Sequence, residues 1–471
     1  MAAVITPTLK KYFIDRLFDD VNDSNQRYYI GIGRSRDWDS SDTPPTPKSH
    51  EREERNTRLT IQSMKKVAAN SFVVPRFNWT AGSIYDAFDD AFDAYPDNAY
   101  YVFTDENKVF ICLQQGKNAQ GAPVASSDKP TGESILPITT SDGYVWRYLY
   151  TISALRSSQF VTANFLPVEK IDSLGTGASV IDTKNKAIQD SAIAGEIVGI
   201  RLTNGGSGYT TAPTIGINGR FRNNDSVGHS LNKLAAATAT VSGGAIVKIE
   251  MNDSGSGKSY GRNYDFAQIT ISGGGGAGAK AQAIIAKDSG IGSDPRRDLR
   301  SSAIMFNTKL EGTENKKFLV GQDFRQVSLI KNPVSFVLDS FGKQTAFPNL
   351  AELGLRSLKF ATIVNTFSKD NSIRGLTSGA VAYVDNVDST RVHFHQDSNT
   401  GFIEFKEGET IEETNGNGEG TLQPTGTDPD SDAFTESGID ITSGHVFYVD
   451  NRASITRSTE QTEDIKVVVQ L

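Results

Sequence analysis

The sequence predicts a mainly β protein: a β-sandwich core with a few helix-bearing loops, split by two inserted small β-modules. Three observations carry this expectation. The 471 residues include 43 Gly, 25 Phe and 15 Tyr, which pairs turn formers with strand-favouring aromatics. Short runs alternate apolar and polar residues between Gly-, Asn- and Asp-rich turns. Two stretches then change texture, and aromatic-rich strands resume after each. At roughly 150 residues per domain, the length allows about three domains or one core with large insertions. The expected organisation is a first core β-sandwich segment at 1–173, a Gly-rich duplicated module at 174–295 and a second core segment at 296–344. A second β-module with an acidic linker follows at 345–437, and the closing core strands occupy 438–471.

Along the chain, "TPTLKKYFIDRLFDDVND" spaces Leu9, Tyr12, Phe13, Leu17 and Val21 at steps of three and four, the mark of an amphipathic helix. "RYYIGIGRSRDW" (27–38) reads as a strand with glycines. The Pro-rich and then charged 39–58 reads as an exposed loop, and 59–69 as a short helix. Tyr85, Phe88 and Phe92 have helical spacing, which sets Asp86, Asp89, Asp90 and Asp93 on a solvated face rather than in a paired-carboxylate site. Residues 99–114 read as a hairpin about a polar Asp-Glu-Asn turn, and 143–152 as a strand. Residues 376–412 hold four or five short strands, and 415–432 form a mobile Gly/Pro/Asp linker.

The middle contains a repeat. "IVGIRLTNGGSG" begins at Ile197, and "IVKIEMNDSGSG" begins at Ile246, 49 residues on. Each strand runs into a Gly-Ser-Gly turn followed by a tyrosine, Tyr209 or Tyr260. Small-residue strands, "AAATATVSGG" and "SGGGGAGAKAQAII", follow in parallel positions.

This repeat disposes of one apparent chemical motif. Gly255-Ser256-Gly257-Lys258-Ser259 resembles a phosphate loop, yet the first glycine that such a loop needs would fall on Asn252. The equivalent turn of the first copy has no lysine, so Lys258 is incidental. Gly273, Gly275 and Gly278 fit a G-x-G-x-x-G pattern, but Asp288 lies only ten residues on, and no strand–helix alternation surrounds them. His393 and His395 alternate on a strand and could present two metal ligands; without a third Cys or His nearby they read as surface histidines. His50, His229 and His445 are scattered. Tyr144, Trp146, Tyr148 and Tyr150 could form a sugar or base platform, but the opposite side of the strand, Val145, Arg147 and Leu149, is also largely apolar. The strand therefore reads as core. Cys112, the sole cysteine, reads as a small buried hydrophobe. No catalytic, cofactor-binding or metal residue is assigned, and no cofactor is expected.

The net charge of −8 gives no basic field for nucleic acid. No run approaches the ~20 apolar residues of a membrane helix, no signal-peptide h-region is evident, and a single cysteine suits a reducing compartment. The expected partners include no nucleic acid, no membrane and no small-molecule substrate.

Five segments, in order, resemble the dimeric baseplate wedge subunit of T-even-like contractile-tailed bacteriophages. They are "IGIGRSRDW" (30–38), "PRFNW" (75–79), "SDGYVWRYLYTI" (141–152), "FRQVSLIKNP" (324–333) and the tail "SGHVFYVDNR…TEQTEDIKVVV". The resemblance covers about half the chain. It implies β-sandwich layers with helix-bearing loops, a homodimer, contacts with other baseplate wedge subunits, and a structural role without enzymatic activity. It also implies a place in the virion, at the tail baseplate, after assembly in the host cytoplasm. The stretches 174–295 and 345–437 read as insertions relative to the shorter members. They supply the alternative, a carbohydrate-binding tail or fibre-associated protein that contacts the host surface.

Overall fold

The structure, a computed structural model, describes residues 6–92, 95–222, 232–252, 259–286, 289–347, 350–424 and 432–470. The protein is mainly β, with 41% of residues in strands and 11% in helices, and it contains several antiparallel sheets. The chain divides into two compact units, Met1–Lys11 with Ser71–Ala303 and Tyr12–Asn70 with Ile304–Leu471.

The first unit is built around the sheet Tyr101–Phe103, Lys108–Gln114, Val145–Thr151 and Ile138–Thr139, in that spatial order. The hairpin expected at 99–114 is present, with Tyr101 opposite Ile111. Every residue from Val145 to Tyr150 is buried. On one face, Trp146 stacks on Tyr144 at 5.6 Å and meets the edge of Tyr85 at 5.5 Å, beside Phe110, Cys112 and Ile188. On the other face, Arg147 is bidentate to Glu196, at 2.8 and 3.2 Å, and donates to the Ile291 carbonyl. The helix Val180–Asp190 closes the first face: Asn185 accepts from the Thr151 amide and donates to the Thr151 carbonyl. Residues near both ends of 174–295 are therefore built into this core.

The repeated stretch has a reciprocal pairing. Leaving aside the short strands Lys233–Ala235 and Tyr260–Arg262, which pair with each other, call the three longer strands of each copy first, second and third. The first strand of copy one, Ile197–Asn204, pairs with the third of copy two, Lys280–Ile285. The first strand of copy two, Ala245–Met251, pairs with the third of copy one, Ala237–Ser242. The two second strands, Thr214–Phe221 and Tyr264–Ser272, pair with each other. Tyr209 and Tyr260, equivalent in the repeat, are both buried. Gly206, in the first Gly-Ser-Gly turn, has φ +67°, and a Cβ there would lie 2.5 Å from the Ala277 carbonyl oxygen, so only glycine fits.

The second unit contains a five-stranded sheet, ordered Ala351–Leu353, Ile61–Lys66, Tyr28–Gly33, Asp323–Lys331, His445–Thr456. Tyr28–Gly33 is buried at every residue, as expected of a central strand flanked on both sides. The helix expected at 59–69 is instead the strand Ile61–Lys66, while the charged run Glu51–Leu59, expected as loop, is a helix. Two forces reverse these assignments. His50 caps the helix by accepting from the Glu53 amide, and Glu and Arg favour helix. Ile61 and Met64, by contrast, are drawn into the sheet core with Tyr29, Ile330 and Phe347.

A second sheet of this unit closes on itself. Its ring runs Arg391–His395, Val381–Val387, Ser372–Gly375, Thr410–Glu413, Glu419–Leu422, Arg356–Asn365 and back to Arg391–His395. Phe434–Thr435 adds a short outer strand. The interior holds Leu358, Phe360, Ile373, Val384, Val392 and Phe394, among others. Glu419–Leu422, within the stretch expected to be a mobile linker, is thus a barrel strand. Phe360 faces Leu422 across this pairing, and apolar burial fixes it. Residues 425–431 lie outside the described residues.

Candidate functional site

Most residues with apparent chemical potential prove to be committed to structure. Tyr144, Trp146 and Tyr148 lie in one buried cluster, and Tyr150 is buried as well, so the strand is core as expected. Cys112 is buried, and that burial pushes its thiol pKa well above the usual value. The acidic stretch departs from expectation: 84–92 is not helical, and Asp89 and Asp90 both pair with Arg201, Asp89 half-buried and Asp90 exposed. The sequence signal was misleading because Phe88 and Phe92 pack on Tyr100 from an irregular segment rather than along a helix face. Asp86 takes Asn98 and Gln115, and Asp93 lies outside the described residues.

Gly273, Gly275 and Gly278 all have positive φ in the connection between Tyr264–Ser272 and Lys280–Ile285; a strand, not a helix, follows them. The phosphate-loop look-alike falls mostly at 253–258, which together with Asp288 and His229 lies outside the described residues. His50 is a helix cap, and His445 is exposed at a strand start.

His393 and His395 are not surface histidines. His395 is buried, and its Nδ1 lies 2.6 Å from Asp385 Oδ2. The carboxylate is an acceptor, so Nδ1 carries the proton. Burial opposes the charged ring, yet the Asp385 carboxylate outweighs it and raises the pKa. His393 lies 3.7 Å from Asp388 and is dominated by burial, which lowers its pKa. Ser35 Oγ donates to the other oxygen of Asp385 at 2.7 Å. This Ser–Asp–His order differs from a catalytic triad, where the histidine stands between the hydroxyl and the acid. Here the carboxylate takes the hydroxyl proton's hydrogen bond, and Ser35 is buried, so the trio cross-links the barrel to the Tyr28–Gly33 strand region.

Beside His395, within the second unit, opens a cavity of about 370 Å³. Helix Glu51–Leu59 contributes Arg55, Arg58 and Leu59, whose steps of three and four put them on one side of the helix. The barrel contributes Phe394 and Arg356, and the adjoining turns add Phe402 and Ile441. The lining is mainly apolar with a basic rim. Arg356 is neutralised by Glu436 at 2.9 Å and bonds Gln396. Arg58 donates from Nη1 to the Gly444 carbonyl, while its buried Nε has no hydrogen-bond partner among the described residues. Arg55 is exposed and makes no ion pair among the described residues. Such a site can hold an apolar group that carries a negative charge. Sequence reading missed it because its walls come from segments about 300 residues apart.

Comparison with known protein families and with curated proteins finds no match to the chain. No helix among the described residues is long and apolar enough to cross a membrane.

Proposed function

We propose that the chain is a structural subunit of a contractile-tail baseplate wedge, acting through large fixed interfaces with a second copy and with neighbouring wedge proteins. In this reading its sheets pack as sandwich layers in the virion. One observation carries the proposal: the five ordered segments that resemble the wedge family. Three of them, 30–38, 324–333 and 443–452, supply adjacent strands of one sheet, with Ile30 opposite Leu329 and Leu329 opposite Tyr448. Their connections are tied together as well. Arg325 donates to Asp42 at 2.8 Å and to Asp37 at 2.6 Å, and Trp38 Nε1 donates to the Arg452 carbonyl. These three pieces therefore share one framework rather than scattered loops.

Permanent assemblies often bury more than about 2,000 Å² per contact, so association should survive high salt. Light scattering of the purified chain in about 1 M salt should give a dimer, and co-expression with wedge neighbours should recover a stable complex. A monomer that ignores every wedge protein yet binds a cell-surface glycan overturns the proposal in favour of the carbohydrate-binding alternative.

A further inference from the structure

Residues 333–347 form an arm that leaves the five-stranded sheet and returns to it. Its base is ordered: the Phe347 amide donates to the Pro333 carbonyl, and the Ser335 amide to the Thr345 carbonyl. Phe347 itself is buried in the sheet core. Its tip is equally well defined, because Asp339 Oδ1 accepts from the amides of Phe341 and Lys343, both at 2.9 Å. Yet this tip presents apolar side chains to water. Phe341 is 92% exposed and Val337 69%, with Phe336 and Leu338 about half exposed. Single exposed apolar residues are ordinary, but four on one turn mark an interaction site.

The arm's own neighbour is the cavity described above. The arm is anchored on residues 438–440, through Phe336 to the Gly438 carbonyl and Gln344 to Asp440. Ile441 and Thr442, the next two residues, line the cavity. Phe341, being exposed, does not fill that cavity within its own chain.

We propose that this arm docks into the cavity of a second copy, and that the second copy's arm docks reciprocally into the first. The proposal rests on the homodimer reading above and names its contact. Three features support it. A cavity of about 370 Å³ is more than twice the ~150 Å³ that accommodates a benzene ring, so Phe341 and a portion of a neighbouring side chain fit. The basic rim matches the acid of the arm: Asp339 Oδ2 makes no hydrogen bond among the described residues, and Arg55 has no ion-pair partner among them. Finally, arm base and cavity rim adjoin along 438–442, so a two-fold axis close to that segment sets each arm over the other copy's cavity. That is the self-complementary arrangement of an isologous dimer.

The test uses full-length protein and disulfide trapping. Cys112 is the sole native thiol and is buried, so it stays silent. Two differently tagged copies, one carrying Phe341→Cys and the other Phe402→Cys, are co-expressed and mildly oxidised. The expected result is a disulfide-linked heterodimer, absent when either variant is expressed alone. In parallel, Phe341→Ser should raise the dimer dissociation constant roughly 100-fold or more, because the lost contact occurs twice. Its fold should be intact, since an exposed residue supports no core. If wild type and Phe341→Ser are equally tight dimers and no heterodimer is trapped, the docking is overturned while the wedge reading stands. If the wild type is monomeric at high concentration, the homodimer and the docking fall together.

Discussion

Trp146 and Arg147 are adjacent residues buried on opposite faces of one strand, and they should fail in different ways. Trp146 fills an aromatic cluster, and truncating such a residue costs about 3–5 kcal/mol. Trp146→Ala should therefore give poorly soluble protein or a strongly lowered urea midpoint. Glu196→Ala leaves a buried guanidinium without its counter-ion, a loss of about 3–5 kcal/mol for a broken buried pair. Replacing both Arg147 and Glu196 by apolar residues should recover much of it, which a double-mutant cycle measures. The barrel histidines set a pH profile. His395 is held charged by Asp385, so it stabilises the fold below the unfolded value of about 6.5 and loses that effect as pH rises through its higher folded value. His393 is held neutral by burial, so its contribution is complete above about 6.5 and is lost as pH falls through its lower folded value. From these two groups, stability should peak near pH 6.5. Urea midpoints across the range should lose the alkaline decline in His395→Gln and the acid decline in His393→Gln; unchanged slopes would contradict the assignment. The burial of Trp146 was legible in sequence, because both faces of its strand read as apolar. The burial of His395 was not, since its partners Asp385 and Ser35 are brought together only by the fold.

At the scale of elements, periodicity identified the helix Pro7–Asn22, although Leu9, Tyr12 and Phe13 of its expected apolar face are exposed; it also identified the 99–114 hairpin and the repeat, where local pattern and burial agree. It failed at 51–66, where the charged run forms the helix and the sheet claims the apolar run. It failed again at 84–92, where helical spacing of aromatics arises from an irregular segment. The repeat itself was visible, but its reciprocal strand exchange was not, because a repeat fixes equivalence without fixing partners. That exchange makes a sharp prediction. Gly199 and Ile284 are partners across a ladder, so an Asn-Gly turn replacing 200–283 closes the gap with two-residue hairpin geometry. The shortened protein should stay soluble with a little-changed melting temperature. Replacing 176–294 should fail, because it removes Asn185, Ile188 and Glu196 from the core. Deleting only 245–285 should also fail, because Ile197–Asn204 then loses its ladder partner. Equal behaviour of the three deletions would show that the exchange does not govern stability.

For the whole molecule, the order of the chain is not the order of the units. The second unit takes its residues from Tyr12–Asn70 and from Ile304–Leu471, and the intervening chain, Ser71–Ala303, builds most of the first unit. Ending the chain at Gly444 should accordingly break up the five-stranded sheet of the second unit, since Asp323–Lys331 loses its neighbour His445–Thr456 along its whole length. Limited proteolysis should then cut 28–66 while sparing 95–222. The same arrangement has a consequence in time. Ribosomes add roughly 5–20 residues per second, so Tyr28–Gly33 emerges roughly 15–60 s before its partner Asp323–Lys331 exists. For that interval this buried strand has only its Ile61–Lys66 partner and one open edge, which any other nascent copy on the same message can match. Synthesis rate and chaperone supply, rather than final stability, should therefore limit the yield of this protein.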